Sequence, residues 1–119
     1  MDTNTGSKPY DLTEIKEMCD DNISFLERLL AVFVETLKTE LVNIKEGAAA
    51  GNWEIVGKAA HKIKPSLIHF HITSLKDVIF GLEHYENSSA AQLGSFVTEL
   101  EKVINDVLIN LKAEFPGIL

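Results

Sequence analysis

The 119-residue sequence predicts an all-α fold: an antiparallel four-helix bundle with a short extra helix at its N-terminus. Three observations lead there. Apolar residues recur every three or four positions through four long segments, the spacing of a single helix face. No segment alternates with the period of two that marks a half-buried strand. The segments are joined by short runs rich in Gly, Asn and Ser, and short connections set neighbouring helices antiparallel.

Residues 1–9 are polar in character, carry Gly6 and Pro9, and are expected to form a loose tail ahead of one domain over residues 10–119. A short helix is expected around Leu12, Ile15 and Met18, opened by Asp11 with Glu14 at capping-box spacing. The next helix has Leu26, Leu30, Phe33, Leu37, Leu41, Ile44 and Ala48 on one stripe, with Asn22 or Ser24 to cap its start and Gly47 and Gly51 at its end. Asn52 is placed to cap a third helix, whose seam is Trp53, Val56, Ala60, Ile63, Leu67 and Phe70. A fourth runs from about Ser74 to Tyr85, with Ile72, Leu75, Ile79 and Leu82 inward. Ser89 and Gln92 form a capping box for the last helix, whose seam is Leu93, Phe96, Leu100, Val103, Val107, Leu111 and Phe115. Pro116 and Gly117 stop it. Ile104, Leu108 and Ile109 fall off that seam and are expected to cover the N-terminal helix or to form a contact surface.

Composition narrows the function. Eighteen acidic and 11 basic side chains give a net charge of −7. That argues against general nucleic-acid binding, which needs a basic footprint, and against an anionic membrane surface. Cys19 is the only cysteine, so no internal disulfide can form, and it reads as a small hydrophobe. The opening MDTNTGSKPYD has no apolar signal core, and no apolar run approaches the ~20 residues of a membrane span. A cytoplasmic monomer is expected.

The stretch AAHKIKPSL, residues 59–67, breaks the routine pattern. At about 100° per residue, the core seam centres roughly 130° from His61, so the imidazole leans outward. Gly57 lies one turn before it, Lys64 and Pro65 one turn after, and Ile68 two turns on, with Lys58 and Lys62 to either side. Imidazole is in good part neutral and nucleophilic near pH 7. Lysines beside it offset negative charge on a group attached to the ring, and Gly57 is expected to leave room for an approaching molecule. Such a constellation suits the carriage of a phosphoryl group; by spacing alone it equally describes an ordinary solvated helix face, and the geometry is not specific to either. Pro65 leaves the His61 carbonyl without its helical donor, so a kink directed away from the core is expected there. The other histidines, His69, His71 and His84, lack the i, i+4 or Glu-x-x-His spacing of a bundle metal site, and no metal site is expected.

These residues resemble the signature of histidine-containing phosphotransfer domains, approximately A-H-x-L-K-G-S. His61 matches the phosphorylated histidine, Lys64 the lysine that interacts with the phosphoryl group, Ile63 the core aliphatic and Ser66 the serine. GNWEIVGKAAH is similar to the family's approach to that histidine, FLERLLAVFVETLKTEL to its long second helix, and LKDVIFGLE to the helix that follows. The likeness covers roughly residues 10–110. Pro65 stands where the glycine is usual, as in some bacterial members, and His71 and Ile72 stand where a second glycine is followed by alanine. Glu83 falls where some members carry a polar residue near the histidine, a position from which it is expected to orient the imidazole.

The resemblance implies a phosphorelay intermediate. It would accept phosphate on His61 from the aspartate of a response-regulator receiver domain, of a hybrid sensor histidine kinase for example, and pass it to another receiver. Ile68 and Pro65 would help dock the partner. The resemblance implies no cofactor on this chain, since Mg2+ belongs to the receiver, and no ATP-dependent kinase activity; the chain has no nucleotide-binding loop. The alternative is a helical module that docks receiver or signalling domains without carrying phosphate.

Overall fold

Each long apolar stripe becomes a helix. The computed structural model describes residues 8–118. Its helices are α1 (Thr13–Met18), α2 (Ile23–Ala49), α3 (Trp53–His69), α4 (Lys76–Glu83) and α5 (Ala90–Glu114). Single 3₁₀ turns lie at Thr73–Leu75, Tyr85–Asn87 and Pro116–Ile118, and no strand occurs among the described residues. The chain is all-α.

Three helix starts follow from side-chain caps. Asn22 Oδ1 accepts from the Phe25 amide at 3.0 Å, Asn52 Oδ1 from Ile55 at 3.3 Å and Ser89 Oγ from Gln92 at 3.1 Å. Each cap contributes about 1 kcal/mol by satisfying an amide the helix leaves free. Of the two candidates before α2, Asn22 is the one used.

The start of α1 departs from expectation. Asp11 Oδ1 accepts from the Thr13 amide at 2.9 Å and from its hydroxyl at 2.7 Å, two residues ahead of it. Glu14 therefore closes no capping box, and its carboxylate lies 3.3 Å from His71 Nε2 instead. Met18 is 64% exposed, whereas Cys19 is buried with Leu12 and Ile15. The geometry explains the exchange: Cys19 is seven residues after Leu12 and returns to its face, while Met18 does not.

The expected loose tail over residues 1–9 lies outside the described residues as far as residue 7. Beyond it, Lys8 and Pro9 are anchored. Lys8 Nζ pairs with Glu114 at 2.7 Å, the Tyr10 hydroxyl donates to the same carboxylate at 3.0 Å, and the Asp11 amide donates to the Phe70 carbonyl at 3.0 Å. This segment ties the end of α3 to the end of α5.

Helix α2 packs on α3, α3 on α4, α4 on α5 and α5 back on α2. The ring encloses one core, with Leu37, Ile63, Leu82, Leu100 and Leu111 fully buried. Each such side chain contributes roughly 1.5–3 kcal/mol through removal from water. Phe33 of α2 stacks on Phe70 beyond α3 with ring centroids 3.9 Å apart. Ile104 is fully buried, which corrects its placement off the seam; α5 faces both α2 and α4 and so buries a wider stripe. Ile109 is 67% exposed. The fourth helix ends at Glu83, and Tyr85 belongs to the 3₁₀ turn after it.

Two helix ends share one device. After α2, the Gly51 amide donates to Ala48 and that of Asn52 to Gly47; after α3, His71 donates to Ile68 and Ile72 to Leu67. This paired pattern requires a left-handed residue at the turn. Gly51 adopts it at φ 70° and His71 at φ 55°. Gly51→Ala, whose added methyl would meet no neighbour, is expected to lower stability by about 1 kcal/mol through backbone strain alone. His71→Gly relieves the same strain, so urea denaturation should show the two substitutions shifting the midpoint in opposite directions.

Candidate functional site

His61 lies on the outward side of α3, and its side chain is 75% exposed. Its Nδ1 is 2.6 Å from Oε2 of Glu83, the last residue of α4. The other oxygen of Glu83 accepts from Lys64 Nζ at 3.2 Å. One carboxylate, 13% exposed, thus holds both groups that the sequence places at three-residue spacing on α3.

The cluster is delivered by close packing of α3 against the end of α4. Gly57 is buried, and a Cβ there would sit 3.1 Å from the Leu82 carbonyl oxygen and 3.5 Å from the Tyr85 ring. This corrects the expectation that Gly57 leaves space for an outside molecule. The chain itself fills that space, and the residues that fill it flank Glu83.

Glu83 sits at the C-terminal end of a helix, where the negative pole of the backbone dipole disfavours an anion. Burial pushes its carboxyl up, but hydrogen bonds from His61 and Lys64, together with the charges of both, outweigh burial and hold it below the usual carboxylate range. The group is therefore ionised at neutral pH. An ionised carboxylate only accepts hydrogen bonds, so His61 Nδ1 carries a proton and donates it to Glu83. In the neutral ring the lone pair is then on Nε2, the nitrogen that Glu83 does not engage.

The remaining sequence-predicted residues divide by position. Lys58 pairs with Glu54 at 3.4 Å on the exposed face of α3 and does not join the cluster. Lys62 is exposed and forms no ion pair among the described residues. Ser66 is half-buried, about 140° around the helix from His61. Pro65 is exposed, and α3 continues through it to His69. Ile68 is 63% exposed and lies on the His61 face two turns on. His84 donates from Nδ1 to the Phe80 carbonyl at 2.9 Å and stacks on the Phe80 ring. Among the described residues no three His, Cys, Asp or Glu side chains come together in a way that would hold a metal ion.

Phe80 escaped sequence reasoning. It is 60% exposed on α4 and, with Ile68 of α3, lines a groove of about 530 Å3. The available signal was a large apolar residue off the Ile79–Leu82 seam.

Comparison with protein-family models, curated proteins and solved structures returned no match. No helix among the described residues is long and apolar enough to cross a membrane.

A carboxylate whose folded-state value is depressed contributes stability above its ordinary range, about pH 4.3, and loses it as pH falls through the depressed value. Wild type should therefore lose more stability than Glu83→Gln on acidification below about pH 4.3. Urea titrations across that range check this; equal losses would contradict the pairing.

Proposed function

We propose that the chain is a histidine-containing phosphotransfer domain, with α2 to α5 forming an antiparallel four-helix bundle and α1 as the short extra helix. It accepts a phosphoryl group on His61 from a receiver-domain aspartate and passes it to a second receiver. The observation that carries this reading is the 2.6 Å contact between His61 Nδ1 and Glu83 on a ring that is three-quarters exposed. It leaves Nε2 as an accessible nucleophile with a fixed tautomer.

In the transfer step, the Nε2 lone pair attacks the phosphorus of the aspartyl phosphate. The Nε2–P bond forms as the P–O bond to the aspartate breaks, and the carboxylate leaves with the electron pair. The ring gains positive charge while Nδ1–H stays on Glu83, whose negative charge offsets it. Glu83 is a positioning residue in this scheme. Lys64, one helical turn from His61, offsets charge on the phosphoryl oxygens. Mg2+ is supplied by the receiver's own aspartate pocket, and no step uses ATP.

Incubation with phosphoramidate, a small-molecule donor, should give an acid-labile, alkali-stable label on wild type and none on His61→Gln. Lys64→Ala is expected to slow transfer from a phosphorylated receiver by about tenfold or more, the kinetic equivalent of one charge-assisted hydrogen bond. Full receiver binding and downstream signalling by His61→Gln would favour the docking module over the relay.

A further inference from the structure

Helix α2 carries two seams. One is the core stripe, in which Leu26, Leu30, Phe33, Leu37 and Ile44 are buried. The other is Phe25, Arg28, Val32, Glu35, Thr39 and Val42, which step by 3, 4, 3, 4 and 3 residues. That is the a and d spacing of a helix that pairs with another helix. All six of these residues are exposed. The apolar ones, Phe25, Val32 and Val42, are 42%, 66% and 51% exposed. The seam runs about 25 Å along the helix at 1.5 Å per residue.

Charge selects the occupant. Arg28 is the only arginine of the chain, and its neighbours one turn away, Ser24, Phe25, Ala31 and Val32, include no acid. Glu35 lies seven residues on, at the same edge of the seam, with Lys38 one turn after it. Neither Arg28 nor Glu35 belongs to an ion pair among the described residues, and Lys38 makes none with Glu35. Opposite charges two turns apart on one edge are complementary to a second copy of themselves. A two-fold axis perpendicular to antiparallel helices keeps the charged edges on the same side, so each Arg28 comes within a turn of Glu35 of the other copy. The same pairing sets Phe25 in one layer with Val42 of the other copy, and the two Val32 side chains at the centre. A parallel pairing would instead set Arg28 on Arg28 and Glu35 on Glu35. The net charge of −7 opposes association in general, but on this seam the charges balance.

We propose that the protein self-associates as a two-fold dimer through the exposed face of α2, the two α2 helices antiparallel, in place of the monomer expected from the sequence. With three apolar residues in the seam the dimer is weak, and its population follows concentration. Helix α4 lies across the helix ring from α2, and Glu83 of α4 is the residue that holds His61. The dimer face is therefore on the side of the bundle away from the site, and both imidazoles stay accessible.

The test is analytical ultracentrifugation of the full chain over about a hundredfold range of concentration. It compares wild type, Val32→Asp, Arg28→Glu, Glu35→Arg and an equimolar mixture of the last two, with circular dichroism to confirm that each is folded. The mass of wild type is expected to rise with concentration towards that of two chains. Each variant alone should associate at least about tenfold more weakly. The mixture should associate again, because every charge at positions 28 and 35 of one variant then faces its opposite in the other. A wild type with the mass of one chain at every concentration would overturn the proposal and leave the seam to a partner of different sequence. Undiminished association of both Val32→Asp and Arg28→Glu would overturn it as well. A mixture that stays monomeric while wild type dimerises would overturn the antiparallel arrangement. The readout is mass alone, so the result stands apart from the relay reading.

Discussion

Glu83 reaches His61 only because α3 and the end of α4 meet almost backbone to backbone. That approach depends on Gly57, which presents no side chain to the Leu82 carbonyl or the Tyr85 ring. Leu82 is fully buried and fixes the end of α4 in the core. The next residue is then held against α3 with its carboxylate directed at an exposed ring. A side chain at position 57 would press on the turn that carries Glu83, and the imidazole would lose its orientation before it lost its exposure. Core packing and site geometry are thus one constraint.

Electrostatics complete what packing begins. A carboxylate at the end of a helix and largely removed from water is unfavourable by itself. Here two donors from the neighbouring helix satisfy both of its oxygens. The same arrangement gives the imidazole a single hydrogen-bonding role. Ordering an exposed histidine ring in one tautomer needs a partner of fixed position, and a half-buried carboxylate on a packed helix supplies it better than a mobile surface residue.

Much of the helical pattern was legible in the chain. The stripes of α2 and α3 obey the 3.6-residue period because each buries one face, and Asn22, Asn52 and Ser89 announced helix starts through capping chemistry that is local in sequence. Where the outcome depended on tertiary contact, the sequence pattern misled. Ile104 looked surplus because a one-sided seam was assumed for a helix with two neighbours. Gly57 read as an opening, when the space beside it belongs to a helix end about 25 residues later. His71 stood where a glycine was expected, and the backbone kept the left-handed turn without one. At the site, the three-residue spacing of His61 and Lys64 could be read directly. Their common partner is 22 and 19 residues away, and the packing of α4 on α3 brings it to them.

The claim that Glu83 fixes the imidazole with its proton on Nδ1 is tested most directly by two-dimensional 15N–1H correlation spectroscopy of the histidine side chains, above the ring's titration and compared with His61→Gln for assignment. The account predicts a His61 pattern dominated by the Nδ1–H tautomer, with Nε2 unprotonated, and a shift towards the Nε2–H form in Glu83→Ala. A wild-type ring predominantly in the Nε2–H form, unchanged by removal of the carboxylate, would contradict it and remove the ground for Nε2 as the nucleophile.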